Sequence, residues 1–150
     1  LDKIDKHIVM LLQEDAKQNT KQIAAKIGLS ITPTYERIKK LEKAGFIKSY
    51  VALLNTDLLN INIIVFMNIT IKDHHKEARD EFVESLGSLQ EVSEFYHTSG
   101  SFDFLAKVRF SNIKEYRDFL VNKVASIRNI SDIDSQIVLE EIKYSTKISL

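Results

Sequence analysis

The chain has 150 residues, 44% hydrophobic and 28% charged, so it has room for one ordinary domain or two small ones and reads as a folded globular protein. It has no cysteine, which excludes disulfides, thiolate metal sites and a cysteine nucleophile. The formal net charge of zero hides a split: residues 1–50 carry ten Lys/Arg against six Asp/Glu, and residues 51–150 carry eleven against fifteen. A basic third on an acidic remainder suggests that one part meets a polyanion and the other does not. The longest apolar run, IIVFM at 63–67, falls far short of the ~20 residues that span a bilayer. The amphipathic start is not a signal peptide, and the missing initiator Met leads us to expect that a short leader was trimmed. With the lack of cysteine, this makes the cytoplasm the expected location.

Leu1, Ile4, Ile8, Leu11 and Leu12 fall at helical spacing and predict a first helix over 1–15. After a polar loop, Thr20 or Asn19 caps a short second helix that turns Ile23, Ala24 and Ile27 inward. Gly28 stands where a helix ends in the left-handed region. Ser30 or Thr32 then caps a third helix, with Pro33 in its first turn, where a missing N–H costs nothing. Thr34, Ile38 and Leu41 make its buried stripe, and Ala44-Gly45 ends it. From 46 to 55 the period changes to two, which reads as one or two short strands, a wing or a connecting arm. The expected organisation is a helical domain over 1–50, a connecting strand or linker over 51–61, and a second domain over 62–150.

The second domain repeats a pattern. Strand 62–72 sets Ile63, Val65, Met67, Ile69 and Ile71 on one face. Helix 76–88 buries Ala78, Phe82, Val83, Leu86 and Leu89, and strand 92–98 follows. In the second round, strand 102–110 sets Phe102, Phe104, Ala106, Val108 and Phe110 on one face, opposite Asp103, Lys107 and Arg109. Helix 113–126 buries Ile113, Tyr116, Leu120 and Val124, and strand 133–142 turns Ile133, Ile137 and Leu139 inward. The order β-α-β-β-α-β predicts an α+β fold: a helix-turn-helix, winged-helix-like domain followed by a ferredoxin-like sandwich. Two helices cover one face of such a sheet. Ile64 and Phe66 share the open face with Asn62, Asn68 and Thr70, so we expect two sheets to pack face to face in a dimer.

Three short helices, the last two joined by a glycine turn, make a helix-turn-helix, whose third helix enters the DNA major groove N-terminus first. With the stripe inward, Thr32, Tyr35, Glu36, Lys39 and Lys40 face out, and Arg37 lies near the edge. Thr32 and Tyr35 are candidates for base edges, and Arg37 for a guanine or a phosphate. Lys39, Lys40, Lys43 and Lys48 are placed for phosphates, which give affinity without sequence information. Lys21 and Gln22, at the start of the second helix, can bind the DNA backbone beside free N–H groups. Ser30 and Thr34 complete the candidate DNA contacts. Asp73-His74-His75 reads as a solvated loop rather than a metal site, and His7 and His97 have no second ligand nearby in sequence. No metal and no catalytic constellation is expected.

These residues resemble the leucine-responsive regulator/asparagine-operon regulator (Lrp/AsnC) family. The resemblance rests on the Leu1-Asp2-x-x-Asp5 start, the Gly28-Leu29-Ser30 turn, the Arg37-Ile38-Lys39-x-Leu41-Glu42 helix and the Gly45-x-Ile47-x-x-Tyr50 exit. In the second half it rests on Gly100-x-x-Asp103 and the closing Val138-Leu139-x-Glu141-Ile142-Lys143. It covers essentially the whole chain. It implies a transcription regulator, not an enzyme, that needs no cofactor and binds double-stranded DNA as a homodimer assembling to an octamer. It also implies an amino-acid effector held between subunits. The candidate effector residues are Thr98, Ser99, Gly100, Ser101, Phe102 and Asp103, with Ser135 and Gln136 supplied by a neighbouring subunit. Gly100 admits a carboxylate close to backbone N–H groups, Asp103 accepts from an α-ammonium, and the hydroxyls add contacts. Where the family commonly has an acid and then a tyrosine after this glycine, the chain has Ser101 and Phe102, which leaves the effector's identity open. The alternatives are an architectural DNA-binding protein without effector, or a tetrapyrrole-processing enzyme on the same architecture.

Overall fold

The computed structural model describes residues 1–150. They form two units: Leu1–Leu53 with Ile142–Leu150, and Leu54–Glu141. No helix is long and apolar enough to cross a membrane.

The first unit holds α1 (Lys3–Glu14), α2 (Thr20–Ile27) and α3 (Ile31–Lys43). Helix α1 starts at Asp2, whose side chain accepts the Asp5 N–H at 2.8 Å. Asn19, not Thr20, caps helix α2: the Asn19 side chain accepts the Gln22 N–H and the Gln22 side chain accepts the Asn19 N–H, each end satisfying the other. Gly28 closes α2 at φ +70°, a conformation that costs other L-residues. Ser30 occupies the cap position of α3 without a side-chain cap bond, while the Thr34 hydroxyl donates to the Ser30 carbonyl at 2.8 Å. The core is small: Ile8, Leu11, Ile23, Ile38 and Leu41, with Thr34 wholly buried beside them.

Two expectations are corrected in this unit. Residues 46–55 form no strand, because an extended segment without a neighbouring strand in its own chain has no ladder to join. The last nine residues, expected in the second domain, lie with the helices instead. The Gln13 amide pairs with the Ile148 main chain as a strand neighbour would: Nε2 donates to the carbonyl at 3.0 Å, and Oε1 accepts the N–H at 2.7 Å. An ion pair between Lys147 and Glu14 at 2.8 Å lies alongside.

The second unit is a four-stranded antiparallel sheet with two helices, ordered β2-β3-β1-β4. Its elements are β1 (Ile63–Ile71), α4 (Lys76–Gly87), β2 (Val92–His97), β3 (Phe104–Phe110), α5 (Ile113–Asn122), a 3-10 turn (Val124–Ser126) and β4 (Ile130–Ile137). This is the ferredoxin-like order. Val65, Met67, Ile69 and Ile71 of β1 and Phe104, Ala106, Val108 and Phe110 of β3 pack against Phe82 and Leu86 of α4 and Tyr116 and Phe119 of α5. Phe82 sits at the centre, with ring centroids 5.0 Å from Phe104 and 5.9 Å from Phe95.

Several side chains depart from the expected faces. Val83, Ile113 and Ile137 are exposed and Leu139 is 99% exposed, while Phe119, left out of the predicted stripe, is buried. Ile113 is the first residue of α5, just after the Asn112 cap, where it faces solvent. Strand β4 starts at Ile130, three residues earlier than the pattern suggests. Asn129, at φ +72°, turns the chain into the sheet, and a register shift opposite Thr70/Ile71 realigns the pairing. On the face away from the helices, the Lys107 ammonium lies 5.8 Å above the Phe66 ring and 2.8 Å from Glu94.

Candidate nucleic-acid interface and effector loop

The helical unit presents one polar face of α3. Thr32, Tyr35, Glu36, Lys39, Lys40 and Lys43 are exposed on it, and Ser30 is exposed just before it. Lys21 and Gln22 are exposed at the start of α2, and Lys48 after α3. Thr34 is the exception: it is 0% exposed and its hydroxyl is spent within the helix, so it belongs to the core and cannot reach a groove.

The cations on this face differ in what holds them. Lys39 pairs with Glu42 at 2.7 Å and lies 5.6 Å from the Tyr35 ring centroid. The bond to Glu42 raises the Lys39 pKa and lowers that of Glu42. Tyr50 donates to the other Glu42 oxygen at 3.1 Å, and burial, followed by that carboxylate, pushes its phenol up to about 12. Lys21, Lys40, Lys43 and Lys48 take no part in an ion pair, which leaves them available to phosphates. Arg37 is turned inward onto Asp2 and Asp5, at 2.7 Å each. These acids were overlooked as partners of α3. The Leu1-Asp2-x-x-Asp5 start was the available signal, since acids three apart share a helix face.

In the sheet unit the loop before β3 is well braced. Gly100 adopts φ +134°, which glycine tolerates and other residues rarely do. The Thr98 hydroxyl donates to the Phe102 carbonyl at 3.0 Å, and the Thr98 N–H to the Asp103 carbonyl at 2.9 Å. Ser99, Gly100 and Ser101 are exposed, and Phe102 is half-buried. One Asp103 carboxylate oxygen, Oδ2, accepts the Ile71 N–H at 2.9 Å. The other, Oδ1, lies 3.8 Å from Nδ1 of His74, a neighbour the sequence reading did not assign.

Ser135 and Gln136 are not brought to this loop. They lie on β4, separated from β3 by β1, and they point to opposite faces. The Ser135 hydroxyl bonds the Tyr116 hydroxyl under the helices. It lines a cleft of about 640 Å³ with Leu120, Val124, Ile133, Lys72 and Arg128. Gln136 pairs with Phe66 on the other face and is exposed. His74 and His75 show no third partner of metal-binding type.

Comparison with known proteins assigns both halves of the chain, the second match running on into the segment that lies with the helices. Residues 1–48 match a winged helix-turn-helix DNA-binding model, and residues 64–148 match the Lrp/AsnC ligand binding domain. The chain is 34% identical to the leucine-responsive regulatory protein of Escherichia coli K12 over 148 residues, covering 99% of this chain and 90% of that regulator. An AsnC family transcriptional regulator of Agrobacterium tumefaciens superposes with a TM-score of 0.95 at 37% identity, over 99% of this chain and 97% of that one. A transcriptional regulator of Neisseria meningitidis, solved as a complex with L-Met, superposes with a TM-score of 0.94 at 30% identity, over 99% and 96%. With a DNA-binding helix-turn-helix in its first unit and a ligand-binding sandwich in its second, the chain belongs to the Lrp/AsnC family of transcription regulators.

Proposed function

We propose that the regulator reads DNA through the exposed face of α3 and answers to an amino acid, acting by binding rather than by catalysis, without cofactor, in the cytoplasm. The observation that carries the DNA contacts is the exposed polar face of α3, with Thr32 and Tyr35 in its first turns and Lys39, Lys40 and Lys43 farther along it. Thr32 and Tyr35, with Ser30 beside them, meet base edges. Lys39, Lys40 and Lys48 meet phosphates, and Lys21 and Gln22 hold the backbone at the start of α2. A homodimer presents two such helices to a pseudo-palindrome, and an octamer groups four dimers. The half-covered Phe66 face of the sheet supports pairing of two copies.

The exposed backbone at Ser99–Ser101 and the Oδ1 of Asp103 receive the effector's carboxylate and ammonium. Gln136 of a second subunit completes the site. The Neisseria neighbour, solved with L-Met, favours an amino acid. Such a ligand alters DNA affinity only by its unequal affinity for two states of the assembly.

The test is binding of a labelled duplex across salt concentrations, with a thermal-shift screen of the twenty amino acids on the same preparation. Lys40→Ala is expected to weaken binding to every duplex alike and to reduce the salt slope by about one. An effector raises the melting temperature, because it binds the folded state alone. A chain that ignores all duplexes at low salt removes the DNA assignment, and a flat screen removes the amino acid.

A further inference from the structure

A helical wheel gives Arg37 to the edge of the groove face, yet its guanidinium turns back onto the first turn of α1. A single nitrogen, Nη1, donates to Asp2 Oδ2 and to Asp5 Oδ1, each at 2.7 Å. Asp2 is at the same time the cap of α1, since its other oxygen accepts the Asp5 N–H at 2.8 Å. Cap, first turn and α3 therefore form one closed ring of bonds. The Asp5 side chain is only 15% exposed, so this ring is not a loose surface pair.

We propose that Arg37 is a positioning residue: it fixes where α3 lies against α1, and so how Thr32 and Tyr35 are offered to DNA, without touching DNA itself. The inference rests on α3 being the reading helix. Two carboxylates around one guanidinium leave the group with a net charge of −1, which repels a phosphate. A phosphate would also have to displace carboxylates already held in place, whereas Lys21, Lys40 and Lys43 have no such competitor. Both bonds leave the one nitrogen, Nη1, so the tie depends on the reach and charge of the arginine side chain rather than on a bidentate fork.

The experiment uses the full chain and two labelled duplexes, one enriched from a random-sequence pool by the wild-type chain and one a scrambled duplex of equal length. The readouts are the enriched-to-scrambled affinity ratio, the salt slope, and the helical circular dichroism of each variant. Asp2→Asn with Asp5→Asn is expected to lower the ratio on the order of threefold or more, as expected for residues in one network. Arg37→Ala is expected to lower it equally and to leave the salt slope unchanged. Combining all three changes is expected to cost no more than either alone. Asp5→Asn alone and Arg37→Lys keep shape or charge, and they read out the same ratio if a harsher variant loses its helical signal. A ratio that rises in the Asn variants overturns the proposal, because a freed Arg37 is then reading DNA. A slope that falls by about one in Arg37→Ala overturns it as well, because Arg37 then meets a phosphate. A wild-type chain that enriches no duplex brings down the DNA assignment itself, and this inference with it.

Discussion

The two units are held together by different means. The sheet unit has a deep core in which Phe82, Phe104, Phe110 and Phe119 pack against four inward residues of β1. The helical unit buries only six aliphatic side chains, one of them the small Ala24, and one threonine, and is tied by polar bonds: the Asn19–Gln22 box, the Arg37 ring, and the Gln13 grip on Ile148. A core that stabilises through area tolerates changes of surface charge. A unit stabilised through a few directional bonds depends on each of them, and its geometry is set more sharply than its small core alone would set it. For a domain that must present a helix at a fixed angle, the second arrangement suits the task.

The largest test of this contrast is Phe82→Ala. Removing a wholly buried ring is expected to destabilise the sheet unit by about 3–5 kcal/mol. In denaturant unfolding followed by hydrogen exchange, protection of β1 should fall while that of α2 is unchanged. A smaller effect is expected from Gly28→Ala, which places a side chain at φ +70° and costs about 1–2 kcal/mol in the helical unit only. No atom lies within 4 Å of the added carbon, so a larger loss would mean crowding rather than backbone conformation.

The mildest change is acid. The Asp5 N–H, and after it Arg37, hold the Asp2 carboxyl below its ordinary value of 3.8. A lowered carboxyl contributes stability above its unfolded pKa and loses it as pH falls through the folded one, so the α1–α3 tie weakens below about pH 4. Exchange protection of α3 should then fall before that of the β1 core. Equal loss in both units would show that the sheet unit depends on its own carboxylates, such as Glu94 beside Lys107, as much as the helices depend on theirs.

What was legible in the sequence follows the range of the interactions. Gly28, Pro33 and the stripe of Thr34, Ile38 and Leu41 act within a turn or two of themselves, and the helical unit could be read from them. The β-α-β-β-α-β order was equally legible, because each element carries its own period. The start of β4 was not, because it depends on how Ile130 pairs with Ile71 across the sheet. Phe119 was missed because a stripe counted from Ile113 starts on a residue that faces solvent. The role of Arg37 was only half legible: the two acids at the start of α1 can be seen to lie together, but that they meet Arg37, 35 and 32 positions away, depends on how α1 and α3 pack. Asp103 likewise serves Ile71, 32 residues distant, before it serves any ligand.

The grip of Gln13 on Ile148 bears on how this regulator can be dissected. A fragment cut near residue 50 would leave the Gln13 amide without its main-chain partner and Glu14 without Lys147, because it would lack the segment that supplies both. Measurements on such a piece would report a weaker, differently finished head than the one the whole chain carries to DNA.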